Sequence, residues 1–171
     1  MTIHANQAEV NRADVDVDNG VVHSLNSVLL AGETVVDIAL DKGFTSLAAA
    51  VIEARLLPAL TNPFGIVTVF APTNKAFDDF ASANKLTIAE LLALPTLAEV
   101  LTYHVVNGAN VQSDELTDGQ SVTMLSNGTT TVDLSMGAKL TTSSGQSINI
   151  TATDVQGTNG VVHVIDAVML P

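Results

Sequence analysis

The chain has no cysteine. That excludes disulfides, thiolate nucleophiles and cysteine-ligated metals, and it leaves the redox compartment open. Basic residues are scarce: six Lys and Arg stand against eighteen Asp and Glu, for a net charge of −12. Phosphate-backbone binding needs a cationic footprint, so nucleic acid is excluded as a partner. Attraction to an anionic membrane surface is excluded on the same ground. No apolar run approaches the ~18–20 residues of a membrane span, so no direct insertion is expected. The opening residues carry no basic-then-apolar leader, which says nothing about the destination of a longer parent protein. Also missing are a His-Glu-x-x-His pair, a Gly-x-Ser-x-Gly elbow and a Walker loop. With no clustered histidines either, no catalytic residue, cofactor site or metal site is expected.

What the chain does have is apolar residues, 47% of its 171, much of this from Ala and Val. That length suits one domain of ordinary size with a real core. The last stretch organises it. Asn159-Gly160 reads as a tight turn needing positive φ. Val161 to Leu170 then runs apolar on both alternating faces, so it is expected as a strand covered on both sides and central in the core. The same pattern, Asn19-Gly20-Val21-Val22-His23, stands 140 residues earlier, and Asp14-Val15 matches Asp154-Val155. That period is far too long for a solenoid unit of ~20–50 residues; it is the length of a domain. Residues 1–30 therefore read as the remnant of the end of a preceding repeat or as a linker strand, and residues 31–171 as one complete domain. An orphan strand with unpaired backbone groups tends to find an edge. Residues 14–30 are accordingly expected to add to a sheet edge of their own domain or of a neighbouring molecule, the second case giving self-association. Asp14-x-Asp16-x-Asp18 resembles the start of a calcium loop, but Gly20 is one place late and Leu25 stands where the closing Glu belongs.

Helix signals fill the first half. Thr34-x-x-Asp37 is placed to cap a helix, Thr87-x-x-Glu90 and Thr96-x-x-Glu99 are capping boxes, and Thr45 or Ser46 is placed to cap a second helix that Pro58 stops. Ile66–Ala71 is a β-rich run, followed by a helix capped by Thr73 or Asn74. After Asn107-Gly108, Gly-containing turns recur about every ten residues between short Val, Thr, Ile and Leu runs, which means antiparallel strands. The fold class is α+β: helices from the N-terminal half packed against an antiparallel sandwich or partly open barrel from the C-terminal half.

Three stretches together resemble the fasciclin (FAS1) domain family. Thr68-Val69-Phe70-Ala71-Pro72-Thr73-Asn74-Lys75-Ala76-Phe77 is similar to its first signature. Leu101-Thr102-Tyr103-His104-Val105-Val106 is similar to its Tyr-His motif, and Asn159 to Asp166 to its second signature. The resemblance covers about residues 32–171. It implies a non-catalytic module of secreted, cell-surface or periplasmic proteins, in bacteria as well as eukaryotes, often in tandem, with protein or glycan partners at the cell surface or matrix. A bacterial origin is the expectation here. The resemblance carries a partner-contact role over to Leu101, Tyr103, His104, Val105 and Val106. The family's Asp-Ile pair does not carry over, because this chain has Ile165-Asp166. For His104 and His163 the competing reading is structural: a buried neutral histidine joins two backbone segments by hydrogen bonds. A second functional reading is a carrier of a small apolar, lipid- or pigment-like ligand in a groove.

Overall fold

The computed structural model describes residues 4–5, 8–25, 32–62, 65–135 and 137–171. The leading part holds strands β1 (His4–Ala5), β2 (Ala8–Val17) and β3 (Gly20–Leu25). Three helices follow: α1 (Val35–Asp41), α2 (Thr45–Glu53) and α3 (Leu57–Leu60). Then come β4 (Val67–Pro72), α4 (Asn74–Ala83), α5 (Ile88–Leu92), α6 (Leu97–Thr102) and β5 (Val105–Asn107). The rest is β6 (Ser121–Thr123), β7 (Thr129–Asp133), β8 (Lys139–Thr142), β9 (Ser147–Gly157) and β10 (Gly160–Ile165).

Local capping explains where several helices start. The Thr34 and Thr87 hydroxyls accept from Asp37 and Glu90 backbone N–H groups, and both carboxylates reach back to the cap residue. Gly43, with φ 77°, ends α1. The cap of α2 is not the expected Thr45 or Ser46. The Asn74 side chain, at the start of α4, accepts from Ser46 N and donates to Gly43 O. Pro58 does not stop α2, which ends five residues earlier; it sits in the first turn of α3, where its missing N–H costs nothing. Thr96 makes no side-chain cap, because its backbone is already helical (φ −86°, ψ −3°).

One seven-stranded sheet runs β5-β4-β10-β9-β8-β7-β6. All its pairings are antiparallel except β10 with β4, which is parallel from Gly160 opposite Val67 to Ile165 opposite Pro72. Thus β10 is central, with partners on both edges and Val161, Val162, His163 and Ile165 buried. The strand ends at Ile165, short of the expected Leu170. β9 is longer than expected, since two bulges let it keep pace with β10 past Asp154.

The sheet separates two cores by the period-2 rule. Val67, Val69, Ala71, Val105 and Val162 face the helices. Phe70, Tyr103, Val106 and Ile165 pack with Val122, Val132, Leu140 and Ile148 on the other side. Strands β1-β2-β3 form a sheet of their own, sharing no ladder with the large one among the described residues. The expected addition of residues 14–30 to an edge of the large sheet does not occur over the described part; residues 26–31 lie outside it. β2 and β3 pair with each other instead.

Candidate functional site

Two polar ties meet where α6 runs into β5, beneath the end of the chain. The first is Tyr103, which caps α6 and is fully buried. Its hydroxyl donates to Thr129 O at 2.6 Å and accepts from Ser143 N at 3.1 Å and Thr130 Oγ1 at 3.2 Å. One phenol thereby holds the end of α6 to β7 and to the β8–β9 turn. A Cβ on Gly128 would lie 2.4 Å from the ring, so the glycine is there for close approach.

The second tie is His104. Its Nδ1–H donates to Val100 O at 2.7 Å, and Nε2 accepts from Met169 N at 2.9 Å. These bonds set the neutral tautomer and fasten the chain's end to α6. Burial pushes the His104 pKa down to about 4, against the raising effect of the Val100 carbonyl. Leu101 and Val105 pack into the helix-side core and Val106 into the strand-side core, so all five residues of the motif are buried.

β10 and the turn before it carry two further ties. His163 Nε2–H donates to Val111 O at 2.8 Å, and its Nδ1 accepts from Asp154 N at 3.4 Å. Its ring stacks on Phe70, with centroids 5.5 Å apart. The Asp154 N–H needs an acceptor because Asp154 sits at a bulge with φ 58°. Asn159 is not the first half of a positive-φ turn. Thr158 and Asn159 form the turn and neither has positive φ, while Gly160 is already strand. The Asn159 side chain accepts from Val35 N at 2.9 Å and donates to Leu60 O at 2.6 Å, which joins α1 and α3 to the sheet. Asp166, odd in an apolar run, is exposed and accepts from Asn149 N and Nδ2. Sequence reasoning missed Thr68. It is fully buried, donates to Ala109 O and accepts from Val111 N, and nothing in its β-rich surroundings marks it.

Among the described residues no buried side-chain polar atom lacks a partner. The histidine tie has a pH consequence. An unfolded chain takes up a proton near the ordinary value of ~6.5, and the folded chain refuses it until about pH 4. The stabilisation is thus complete above ~6.5 and is lost as pH falls toward 4, by about 3 kcal/mol in all. Urea melts between pH 7 and 4.5 are expected to show this slope and His104→Gln to flatten it. An unchanged slope in the variant would refute the assignment. Asp37 and Glu90, held below the usual carboxylate range by bonds from Thr34 and Thr87, add their own loss only at lower pH.

Residues 42–171 match the family described as fasciclin domain. The uncharacterized protein sll1735 of Synechocystis is 34% identical over 137 residues, which are 80% of this chain and 96% of that protein. Pig transforming growth factor-beta-induced protein ig-h3 is 30% identical over 172 residues, 99% of this chain but 24% of that protein. Among solved structures, a domain pair of the insect cell adhesion molecule fasciclin I superposes with a TM-score of 0.68 at 22% identity. It covers 96% of this chain and 60% of its own, and so shares the fold.

Proposed function

The chain belongs to the fasciclin domain family, and from that premise we propose that it is a non-catalytic adhesion or interaction module, one unit of a tandem array working outside the cytoplasm. Its site would be the cell surface, the matrix or the periplasm, and its partners protein or glycan. One observation carries the reading. The buried polar side chains of the signature motifs, Thr68, Tyr103, His104, Asn159 and His163, are all spent on internal backbone ties. Those bonds leave none of them free to act on a substrate. Partners then meet the outer, acidic surface, and affinity is gained by repetition of weak contacts. Burial of Leu101, Tyr103, His104, Val105 and Val106 supports a scaffold role for that motif, acting on a partner surface only through the shape it holds. No helix among the described residues is long and apolar enough to cross a membrane.

The test uses beads coated with the chain at graded density and applied to cell envelopes and matrix. Retention should rise steeply with density. Absence of retention at every density would count against the reading. The carrier alternative is favoured by a groove of ≈ 250 Å³ lined by Phe77, Phe80, Leu91, Leu97, Val168 and Leu170. That is below the ~300–1,000 Å³ of ordinary small-molecule sites, which puts the carrier second. Native mass spectrometry showing a co-purified apolar ligand would reverse the order.

A further inference from the structure

The leading hairpin is a structural copy of the terminal one. β2–β3 pairs Val10 with Leu25, Arg12 with Ser24, Val15 with Val22, Asp16 with Val21 and Val17 with Gly20. β9–β10 pairs Ile150 with Ile165, Ala152 with Val164, Val155 with Val162, Gln156 with Val161 and Gly157 with Gly160. Every pair recurs at the 140-residue offset, and so do both bulges. Asp14 has φ 55° where Asp154 has 58°. The Asp14 N–H donates to His23 Nδ1 as that of Asp154 does to His163.

What differs is the surroundings. β10 has a second edge paired to β4, whereas β3 has no second partner among the described residues. Val161 and Val162 are buried; Val21 and Val22 are 52% and 50% exposed. A Cβ on Gly160 would lie 1.8 Å from Val67 O, while one on Gly20 would meet nothing within 4 Å. Gly20 keeps a space that in the terminal copy is filled by a neighbouring strand's backbone.

We propose that the free edge of β3 is a preformed acceptor for a parallel strand of the β4 type, supplied by a second fasciclin unit without a terminal hairpin of its own. The leading hairpin completes that unit, with Gly20–Leu25 in the register that Gly160–Ile165 keeps against Val67–Pro72. The edge wants a six-residue apolar, β-branched strand covered on both faces, such as β4 itself. Asn19, exposed here, would then tie that unit's first helix as Asn159 ties Val35. The change of Val164 to Ser24 falls at a position that is only half-buried in the terminal copy. The comparisons agree in extent. The match to the fasciclin I domain pair takes in more of the chain than residues 32–171 can supply, so it runs into the hairpin. The inference goes beyond the adhesive reading and does not depend on what the outer surface binds.

The experiment joins residues 32–146 in front of Gln7, restoring the 140-residue spacing, and compares amide exchange at residues 20–25 with that of the 171-residue chain. Closure is expected to slow the amides that point away from β2 by at least about tenfold. Gly20→Val should return them to the fast rate in the fusion and leave the 171-residue chain's melting unchanged. Equal exchange with and without the added residues overturns the proposal. So does closure only when Ser24→Val is also introduced, since the hairpin as it stands would then be unable to complete a unit.

Discussion

Gly160→Val is expected to abolish cooperative folding. Even the first added carbon would lie 1.8 Å from Val67 O, 2.8 Å from Val67 C and 3.0 Å from Val67 N. These are backbone atoms of the adjacent parallel strand, so no side-chain rotation relieves the overlap. β10 and β4 would have to part at the point where Val67 N donates to Asn159 O. Parting would also release the Asn159 amide from Val35 and Leu60 and uncover the helix-side core. A loss above about 4 kcal/mol follows, comparable with the whole stability of many domains. A urea titration by circular dichroism should show no sigmoidal transition. Gly20→Val, the same change in the leading copy, should change the unfolding free energy by no more than about 0.5 kcal/mol. A folded Gly160→Val chain would mean that β4 and β10 are not in parallel contact at this residue.

The contrast between these two glycines shows what the sequence could and could not reveal. The repeat at offset 140 is plain in the residues, but the turn of each copy falls one residue before the Asn-Gly pair that announces it. The reason for the glycine is not plain, because it lies in a strand that is distant in the chain. Local features were legible: Thr34 with Asp37 and Thr87 with Glu90 lie within one turn of helix, where pattern and geometry coincide. Thr96 with Glu99 has the same letters and no cap, since the turn before it delivers Thr96 already in helical backbone. The cap on α2 comes from Asn74, 28 residues on, which no local pattern encodes. The site divides in the same way. That a histidine between apolar residues ties backbone segments can be argued from composition; that His104 holds Met169 N, 65 residues away, cannot. Alternation does identify the strands, but it does not choose their neighbours. The parallel pairing of β4 with β10 had no marker of its own.

The second large effect lies at the other tie. Tyr103→Phe keeps the ring and removes only the hydroxyl, yet that oxygen serves three groups. Ser143 N loses its acceptor and Thr129 O its donor, both in exposed residues whose bonds to the phenol are part-buried, and the buried Thr130 Oγ1 must reorient. Only the Thr130 hydroxyl is fully buried among the partners, so the ~1–3 kcal/mol of one buried group left unsatisfied sets the total expected from urea melts. Gly128→Ala attacks the same tie from the other side. Its methyl would lie 2.4 Å from Cε2 and 2.8 Å from Cδ2 of a ring that three hydrogen bonds hold still. The double variant should therefore cost less than the sum of the two, by about 1 kcal/mol or more, because a ring without its hydroxyl can retreat from the methyl. Strict additivity, or a Tyr103→Phe cost under about 0.5 kcal/mol, would show that the hydroxyl does not anchor the ring. The same variant separates scaffold from contact surface. If Tyr103 acts by holding α6 against β7 and the β8–β9 turn, Tyr103→Phe beads kept well below their melting temperature should adhere like the parent. Loss of adhesion by a folded variant would return the motif to the partner's reach and require that the corner open to meet it.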